Sequence, residues 1–339
     1  MSRRYSRQVF FEPIGEQGQD KLKDRHVLCV GLGALGSINA ENLVRSGVGE
    51  LTIVDRDYVE ISNLQRQSLY DEKDVANRLP KAIAAKQRLE LINSEVTINA
   101  HVSDVGVEEL KELIVGVDLI IDSCDNFDTR FIINDTAIKY NIPWIYGACV
   151  GSYGLSFTFI PDVTPCLNCI LDSLKLGGAT CDTHGIINSV VHMVTAYQTT
   201  EALKLLVGDH SAYRSTLASF DLWKNEHSYL QVDNLKKESC ASCGKKRVYP
   251  YLNYHSQTKV AVLCGRNTVQ IRPTVTVERN FNDSERILVM WGGNVSKNRH
   301  LLFCSLGKFR LVLFKDGRVL IHGTSSLLEA KTLYYQLLG

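Results

Sequence analysis

Predicted strands and helices alternate along the first 150 residues. Short continuous apolar runs are typical of strands buried on both faces of a sheet, and longer segments with helical periodicity separate them. We predict strands at residues 26–30, 51–54, 96–100, 119–122 and 144–146, and helices at 36–45, 80–91, 107–114 and 127–140. This alternation predicts an α/β fold with a doubly wound, Rossmann-like parallel sheet.

The pattern changes after Gly154. A strand predicted at 155–160 comes before a long helix at 186–206, and two short strands at 216–223 and 227–232 are typical of an antiparallel hairpin. We therefore expect antiparallel strands to extend the parallel sheet.

The residues after 245 are predicted to form a small, separate α+β module. Its predicted elements are short strands at 259–264, 268–271, 310–314 and 318–321 and a helix at 326–338. The turn at residues 315–318 has the Asp-Gly sequence that favours a hairpin. We accordingly divide the chain into a domain of residues 1–245 and a C-terminal domain of residues 246–339, whose role the sequence does not indicate.

Composition narrows the classes of partner. The 339 residues are 45% hydrophobic and 22% charged, with a formal net charge of +1. This balance gives no reason to expect nucleic acid or an anionic membrane as a partner. No apolar run reaches the roughly 20 residues of a spanning helix, and none of signal-peptide length follows the N-terminus. We expect a cytoplasmic protein.

A glycine-rich turn between the first strand and the first helix predicts a nucleotide site. Gly31, Gly33 and Gly36 lie there, and the amides at the start of the helix are suited to phosphate. Asp55 ends the next strand about 20 residues on, where a carboxylate binds ribose hydroxyls. Nicotinamide-dependent dehydrogenases share these features, so the turn alone does not distinguish the chemistry.

Three further polar residues indicate chemistry on the phosphates. Asn63 and Arg66 lie just beyond the ribose-binding position, and Lys81 follows Pro80 at the start of a predicted helix. Arg66 and Lys81 are candidates to bind the β- and γ-phosphates and to offset charge on departing pyrophosphate. The alternative is that Asn63 and Arg66 form a turn and that Lys81 is solvated.

Carboxylates complete the predicted site. Asp57 follows Asp55 closely, and Asp125 comes just after the carboxyl end of a predicted strand, where parallel sheets place ligands. Asp125 is a candidate to hold the Mg²⁺ that nucleotide chemistry normally requires. It is alternatively, or in addition, the cap of the helix that begins near Phe127.

The cysteines point to metal binding or catalysis. The chain has 10 cysteines, and without a secretion signal a disulfide framework is not the expected use. Two Cys-x-x-Cys pairs, Cys166 with Cys169 and Cys240 with Cys243, predict one structural zinc ion with four thiolate ligands. Two unrelated pairs and redox-active dithiols are the alternatives.

A single cysteine, Cys181, lies in a loop rich in small residues before a predicted helix. A thiolate at the start of a helix has a lowered pKa, which favours a role in acyl or persulfide transfer. An inert, exposed loop cysteine is the alternative, and the effect of the nearby His184 stays open.

Taken together, these motifs resemble the ThiF/MoeB family, the relatives of the ubiquitin-activating enzymes. The resemblance covers about residues 1–245, and the tail resembles the extension of some ThiF-like members rather than a rhodanese domain. The matching segments are Tyr5-Ser6-Arg7-Gln8, the turn at 31–37, Asp55-Arg56-Asp57, Ser62-Asn63-Leu64-Gln65-Arg66-Gln67, Pro80-Lys81, Asp125-Asn126 and both cysteine pairs.

The resemblance implies a role for each site residue. Asp55 would bind ribose, Asn63, Arg66 and Lys81 would bind phosphates, and Asp125 would bind magnesium. The implied reaction is attack by the C-terminal glycine carboxylate of a ubiquitin-like sulfur carrier protein, ending in Gly-Gly, on the α-phosphorus of ATP. A carboxylate is ionised at pH 7 and needs no general base, so positioning and electrostatic stabilisation would provide the catalysis.

The resemblance also implies partners. Arg7 would reach into the active site of a partner subunit, which implies a homodimer, and Cys181 matches a cysteine that can link covalently to the carrier. A cysteine-desulfurase-type protein is the expected sulfur donor. The Cys181 context and the tail favour the carrier of thiamine thiazole synthesis over that of the molybdopterin pathway.

Two other functions remain as alternatives, a nicotinamide-dependent dehydrogenase and a non-catalytic scaffold. The presence of Asn63, Arg66 and Lys81 argues against the dehydrogenase. Inactive subunits of split activating enzymes typically lose the phosphate-binding arginine or lysine, whereas this chain keeps both.

Overall fold

The computed structural model describes residues 3–174, 185–252, 259–262, 267–273 and 278–338. These residues form two compact units, of which the first holds the described residues up to 252 and the second those from 259 onward. Cys181, His184 and the predicted loop of small residues that holds them (residues 176–184) lie outside the described residues.

The first unit is built on a mixed sheet. Its strands are β1 His26–Val30, β2 Glu50–Asp55, β3 Thr97–Val102, β4 Leu119–Asp122, β5 Trp144–Val150, β6 Tyr153–Phe159, β7 Leu217–Asp221 and β8 Glu226–Leu230. In the described residues they form an 8-stranded sheet in the order β3-β2-β1-β4-β5-β6-β7-β8. The first five are parallel, and β6, β7 and β8 are antiparallel to their neighbours. The predicted parallel sheet with an antiparallel extension is confirmed.

The helices of this unit connect and cover the strands. They are α1 Ser6–Val9, α2 Gly15–Lys23, α3 Ala34–Ser46, α4 Glu72–Ala76, α5 Lys81–Ile92, α6 Val107–Leu113, α7 Phe127–Tyr140, α8 Leu167–Leu174 and α9 Asn188–Val207. Local chemistry sets their ends. Helix α3 stops at Gly47, whose φ of +81° suits glycine, and Pro80 precedes α5 as its N-cap.

Both faces of the parallel strands are covered, which explains their continuous apolar sequence. In β1, Val27 and Cys29 pack with residues of α3, α5 and α9. The intervening Leu28 and Val30 pack with residues of α6 and α7 on the other face. Because alternate residues of a strand point to opposite faces, a strand between two helical layers is apolar at every position.

The second unit is an antiparallel sheet with two helices. Its strands are β9 Lys259–Val262, β10 Thr268–Arg272, β11 Asn294–Lys297, β12 Leu301–Leu306, β13 Phe309–Phe314 and β14 Val319–His322, and its helices are α10 Phe281–Met290 and α11 Leu327–Leu338. Among the described residues the 6-stranded sheet has the order β11-β12-β13-β14-β10-β9. Leu288 of α10 and Leu337 of α11 pack in one cluster with strand residues such as Leu311. This is the predicted α+β module.

The sequence predicted some elements of the structure and missed others. Helix α2 was not expected, because its buried residues are only Gly18, Gln19 and Leu22 and its apolar stripe is too thin to show a period. Strand β11 lies at a sheet edge and has an exposed, polar sequence. Both elements bury few apolar residues and therefore leave a weak pattern. Strand β12 was also missed, although its sequence is apolar and four of its residues are buried.

Residues just after the predicted boundary at 245 pack with the first unit. The Tyr251 amide donates to an Asp135 carboxylate oxygen at 3.0 Å, and the Tyr251 ring stacks on Phe131 with a centroid separation of 4.4 Å. The division of roles between residues 1–245 and 246–339 stays a prediction. Within the described ranges, no helix combines the length and the apolar character needed to cross a bilayer.

Candidate active site

The predicted site residues follow strands that end at one edge of the sheet. Gly31, Asp55 and Asp125 come just after or at the carboxyl ends of β1, β2 and β4, and β1 lies between the other two strands. The strand order reverses between β1 and β4, which is the position where open α/β sheets bind ligands.

The three glycines of the turn have different roles. Gly31 has a φ of +90°, and a Cβ atom there would lie 2.7 Å from the Ser123 carbonyl oxygen. A Cβ at Gly36 would lie 1.9 Å from the Gly31 oxygen, so α3 can begin directly on β1 only with glycine at this position. A Cβ at Gly33 would meet nothing closer than 3.9 Å. The fold therefore requires Gly31 and Gly36, whereas Gly33 leaves open space beside the first turn of α3.

Asp55 joins the turn to the end of β2. Its Oδ2 accepts the Leu32 amide at 2.6 Å, and its Oδ1 accepts the Asp57 amide at 2.7 Å. The side chain is buried, and this burial raises the pKa of Asp55 although the nearby Lys81 opposes the shift. These two hydrogen bonds orient the carboxylate at the end of β2 and leave acceptor capacity on both oxygens.

Asn63 and Arg66 form the turn that was considered as an alternative. The amides of Arg66 and Gln67 donate to the Asn63 carbonyl oxygen at 3.1 and 3.0 Å. The Asn63 Oδ1 accepts the Glu60 amide at 3.0 Å, but its buried Nδ2 has no hydrogen-bond partner among the described residues. A buried donor without a partner is costly, so this turn is consistent with a ligand that supplies an acceptor.

Lys81 is buried, with an exposed fraction of 3%. Its Nζ lies 3.5 Å from Asp57 Oδ2, and its amide donates to the Asp57 carbonyl oxygen at 2.9 Å. The alternative of a solvated lysine is therefore wrong. Asp57 therefore positions Lys81, the first residue of α5, through its carbonyl oxygen, and its carboxylate balances the charge of the lysine side chain.

Asp125 has an exposed carboxylate and does not cap α7. The side chain is 76% exposed, and its Oδ1 lies 3.6 Å from Arg56 Nη2. The cap of α7 is Asn126, whose side chain accepts the Thr129 amide at 2.9 Å. The alternative that Asp125 caps the helix is therefore wrong, and its carboxylate stays accessible to a ligand.

Arg7 lies exposed in α1, apart in sequence from these loops. Its guanidinium carbon is 5.8 Å from the centroid of the Phe10 ring. The preceding Tyr5 is buried and its hydroxyl accepts from Asn93 Nδ2 at 2.7 Å, which fixes the start of α1. The role of Arg7 in a partner subunit stays a prediction.

Sequence reasoning missed Arg130, which fixes the loop that carries Asp125. Its Nε donates to Asp122 Oδ2 at 3.0 Å, and its Nη2 donates to the carbonyl oxygens of Cys124 at 2.7 Å and Gly147 at 3.0 Å. Its guanidinium also lies over the Tyr146 ring. The sequence offered one indication of this role, because Arg130 is a charged residue at a buried position of α7.

The two cysteine pairs meet in the first unit. Cys166 and Cys240 have their Sγ atoms 3.6 Å apart, as do Cys169 and Cys243. All four sulfur atoms lie within 4.8 Å of one another. Thiolates bound tetrahedrally to zinc, at about 2.3 Å each, would be separated by roughly 3.8 Å. The alternative of two unrelated pairs is wrong, and the cluster fits a four-coordinate metal.

The fold and the site define an α/β protein with a nucleotide-binding edge and a four-cysteine cluster, and comparisons with known proteins agree. The ThiF family model matches residues 5–242. The chain is 52% identical over 339 residues, 100% of both proteins, to the sulfur carrier protein ThiS adenylyltransferase of Bacillus subtilis. It is 33% identical over 249 residues to the Escherichia coli protein of the same name, covering 73% of this chain and 97% of that protein. This chain belongs to the ThiF family.

The fold has relatives among solved structures. The structure of E. coli MccB with ATP superposes with a TM-score of 0.62 at 22% identity, over 72% of this chain and 74% of that chain. At this level of identity the similarity shows a shared fold, and it agrees with the expected α/β class.

We predict that Gly36→Ala is far more destabilising than Gly33→Ala. The Gly36 Cβ would overlap the Gly31 oxygen at 1.9 Å, while the Gly33 Cβ has open space. Overpacking against backbone should cost about 3 kcal/mol or more, and alanine at the N-cap position 33 about 1 kcal/mol or less. Urea denaturation of both variants measures this, and equal losses would contradict the assigned roles.

We predict that Arg130→Met lowers the free energy of unfolding by about 3–5 kcal/mol, because it leaves Asp122 buried without its partner charge. Lys111→Met is the control, since Lys111 pairs with Glu108 on the surface at 2.8 Å and should change stability by about 0.5 kcal/mol. Denaturant unfolding tests both, and a loss for Arg130→Met no larger than the control's would show that Arg130 is not structurally important.

Proposed function

We propose that this protein uses ATP to adenylylate the C-terminal glycine carboxylate of a small ubiquitin-like sulfur carrier protein. The carrier of thiamine thiazole synthesis is the preferred substrate, in keeping with the 52% identity to the ThiS adenylyltransferase of B. subtilis. The observation that carries the proposal is the buried Lys81, held by Asp57 near Asp55, the residue that would bind the ribose.

The nucleotide would bind along the carboxyl edge of the sheet. Asp55 has free acceptor capacity for the ribose hydroxyls. The open space at Gly33 allows a phosphate to approach the first amides of α3, which attract anions. The buried Nδ2 of Asn63 would gain an acceptor from the phosphates.

Lys81 and Arg66 would stabilise the phosphates. A charge removed from water acts more strongly on its neighbours, so the buried Lys81 is well suited to offset charge on the departing group. Asp57, at 3.5 Å, holds the lysine in place. Arg66 is partly exposed and its Nη1 already donates to the Ser62 carbonyl oxygen at 2.9 Å, which orients the guanidinium.

The reaction needs no general base. The carrier carboxylate is ionised near neutral pH and attacks the α-phosphorus directly. A bond forms between the carboxylate oxygen and this phosphorus, and the bond to the bridging oxygen breaks. The electron pair leaves with pyrophosphate, whose charge Lys81 and Arg66 offset. The products are an acyl adenylate and pyrophosphate.

Asp125 would be the protein ligand for Mg²⁺. Its carboxylate is exposed and does not cap a helix, and carboxylate oxygens are the ligands Mg²⁺ prefers. Bound magnesium would supply positive charge to the phosphates. Arg130 would keep the Asp125 loop fastened to β5.

The further partners remain proposals supported by the family. Arg7, exposed in α1, would complete the site of a second copy in a homodimer. Cys181 would form the covalent link to the carrier, with a cysteine-desulfurase-type protein as sulfur donor. The carrier of the molybdopterin pathway is the second candidate substrate, because it would present the same glycine carboxylate to the same site.

We predict that the wild-type protein catalyses ATP–pyrophosphate exchange with the thiamine carrier and not with the molybdopterin carrier. Arg66→Ala and Lys81→Ala should each lower the exchange rate about 100-fold or more, because each removes charge that stabilises the leaving group. Arg88→Ala is a matched control, since Arg88 pairs with Asp71 in an exposed position. Exchange with only the molybdopterin carrier would assign the protein to the molybdopterin pathway. Exchange with neither carrier would contradict the proposed substrate.

We propose that Cys166, Cys169, Cys240 and Cys243 hold a structural zinc ion, as the sulfur separations allow. Metal analysis should find about one zinc per chain. Cys240→Ser should lose the metal and lower the melting temperature, whereas Cys149→Ser should retain it. A stable, metal-free wild-type protein would contradict this site.

A further inference from the structure

Arg56 lies between Asp55 and Asp57, and the proposed chemistry does not use it. Its guanidinium bridges two carboxylates, with Nη1 3.3 Å from Asp104 Oδ1 and Nη2 3.6 Å from Asp125 Oδ1. Asp104 comes after β3 and Asp125 after β4. Because the strand order is β3-β2-β1-β4, this bridge joins loops that follow non-adjacent strands at the nucleotide-binding edge.

The two ends of the bridge are unequal. The side chain of Asp104 is 13% exposed and that of Arg56 is 21% exposed, whereas that of Asp125 is 76% exposed. An ion pair is stronger when it is shorter and less solvated. Asp104 is therefore the anchor of Arg56, and the contact with Asp125 is the one that exchanges readily.

From this geometry we propose that Arg56 competes with the divalent cation for Asp125. Before the metal–nucleotide complex binds, the guanidinium neutralises Asp125 and holds its carboxylate at the edge of the sheet. A cation that coordinates Asp125 weakens its contact with Arg56, since two positive groups at one carboxylate repel each other. Asp104 then retains the arginine.

This inference rests on the proposed function in one respect, the assignment of Asp125 as the magnesium ligand. It adds that the metal requirement of the site is set partly by a residue that binds neither metal nor substrate. Arg56 is thus a positioning residue for Asp125, and its removal should change metal affinity in the direction opposite to the loss of a ligand.

The test measures binding without catalysis. Mn²⁺ is titrated into the full-length protein with a saturating non-hydrolysable ATP analogue, and free Mn²⁺ is followed by electron paramagnetic resonance. Arg56→Gln should bind Mn²⁺ about two- to fivefold more tightly, the range expected when a largely exposed ion pair is lost. Arg56→Lys, which keeps the positive charge, should stay close to the wild type.

Two carboxylate variants complete the design. Asp104→Asn removes the anchor, so the pairing of Arg56 with Asp125 strengthens and Mn²⁺ should bind about twofold more weakly or worse. Asp125→Asn should weaken Mn²⁺ binding most, because it removes the ligand. The opposite shifts of Arg56→Gln and Asp104→Asn distinguish competition from a general loss of structure, which would weaken binding in both.

Three results would overturn the proposal. Mn²⁺ affinity in Arg56→Gln could equal or fall below that of the wild type. Alternatively, Arg56→Gln could weaken binding of the analogue in the presence of a chelator, which would place Arg56 on the nucleotide. Thirdly, Asp104→Asn could tighten Mn²⁺ binding. Failure of the wild type to bind the analogue would instead contradict the proposed function, so the two failures are distinguishable.

Discussion

The close approach of backbone to backbone at Gly31 and Gly36 is the constraint on which the site depends. Gly36 packs so tightly against the Gly31 carbonyl group that no side chain fits, and Gly31 in turn lies against the Ser123 carbonyl group. The first contact lets α3 begin directly after β1. The second draws the loop after β4, which carries Asp125, toward the same turn. Asp55 then fastens the turn to β2 by accepting the Leu32 amide.

Around the loops that follow β1, β2 and β4, charged side chains of opposite sign lie close to one another. Lys81 faces Asp57, Arg130 faces Asp122, and Arg56 faces both Asp104 and Asp125. A site that binds a polyphosphate and a divalent cation needs both signs, and here the opposite charges neutralise one another. Arg130 and Asp122 hold their loop in place, whereas the contact between Arg56 and Asp125 is the one that we expect to change when the metal–nucleotide complex binds.

Much of the fold and part of the candidate site could be predicted from the sequence, because the patterns that indicate them are local. Apolar runs fixed the strands from β1 to β5, and the glycine spacing and Asp55 located the nucleotide edge. Arg56 was not assigned a role, because its partner Asp104 is 48 residues away and nothing near Arg56 in the sequence indicates the pair. The burial of Lys81 likewise depends on tertiary packing. The capping of α7 by Asn126 is instead a local contact, and asparagine and aspartate are equally good caps, so the sequence did not distinguish Asn126 from Asp125. The cysteine pairs lie between these cases, since the spacing suggested a metal but only the fold shows that the pairs meet.

The central claim is that a carrier's C-terminal carboxylate is the group adenylylated, and intact-mass spectrometry of the carrier tests this most directly. The protein, ATP and Mg²⁺ would be incubated with a carrier ending in Gly-Gly and with the same carrier amidated at its C-terminus. We predict that the free carboxylate form gains the mass of one adenylate and that the amidated form gains nothing. Adenylylation of both forms, or of neither, would contradict the account.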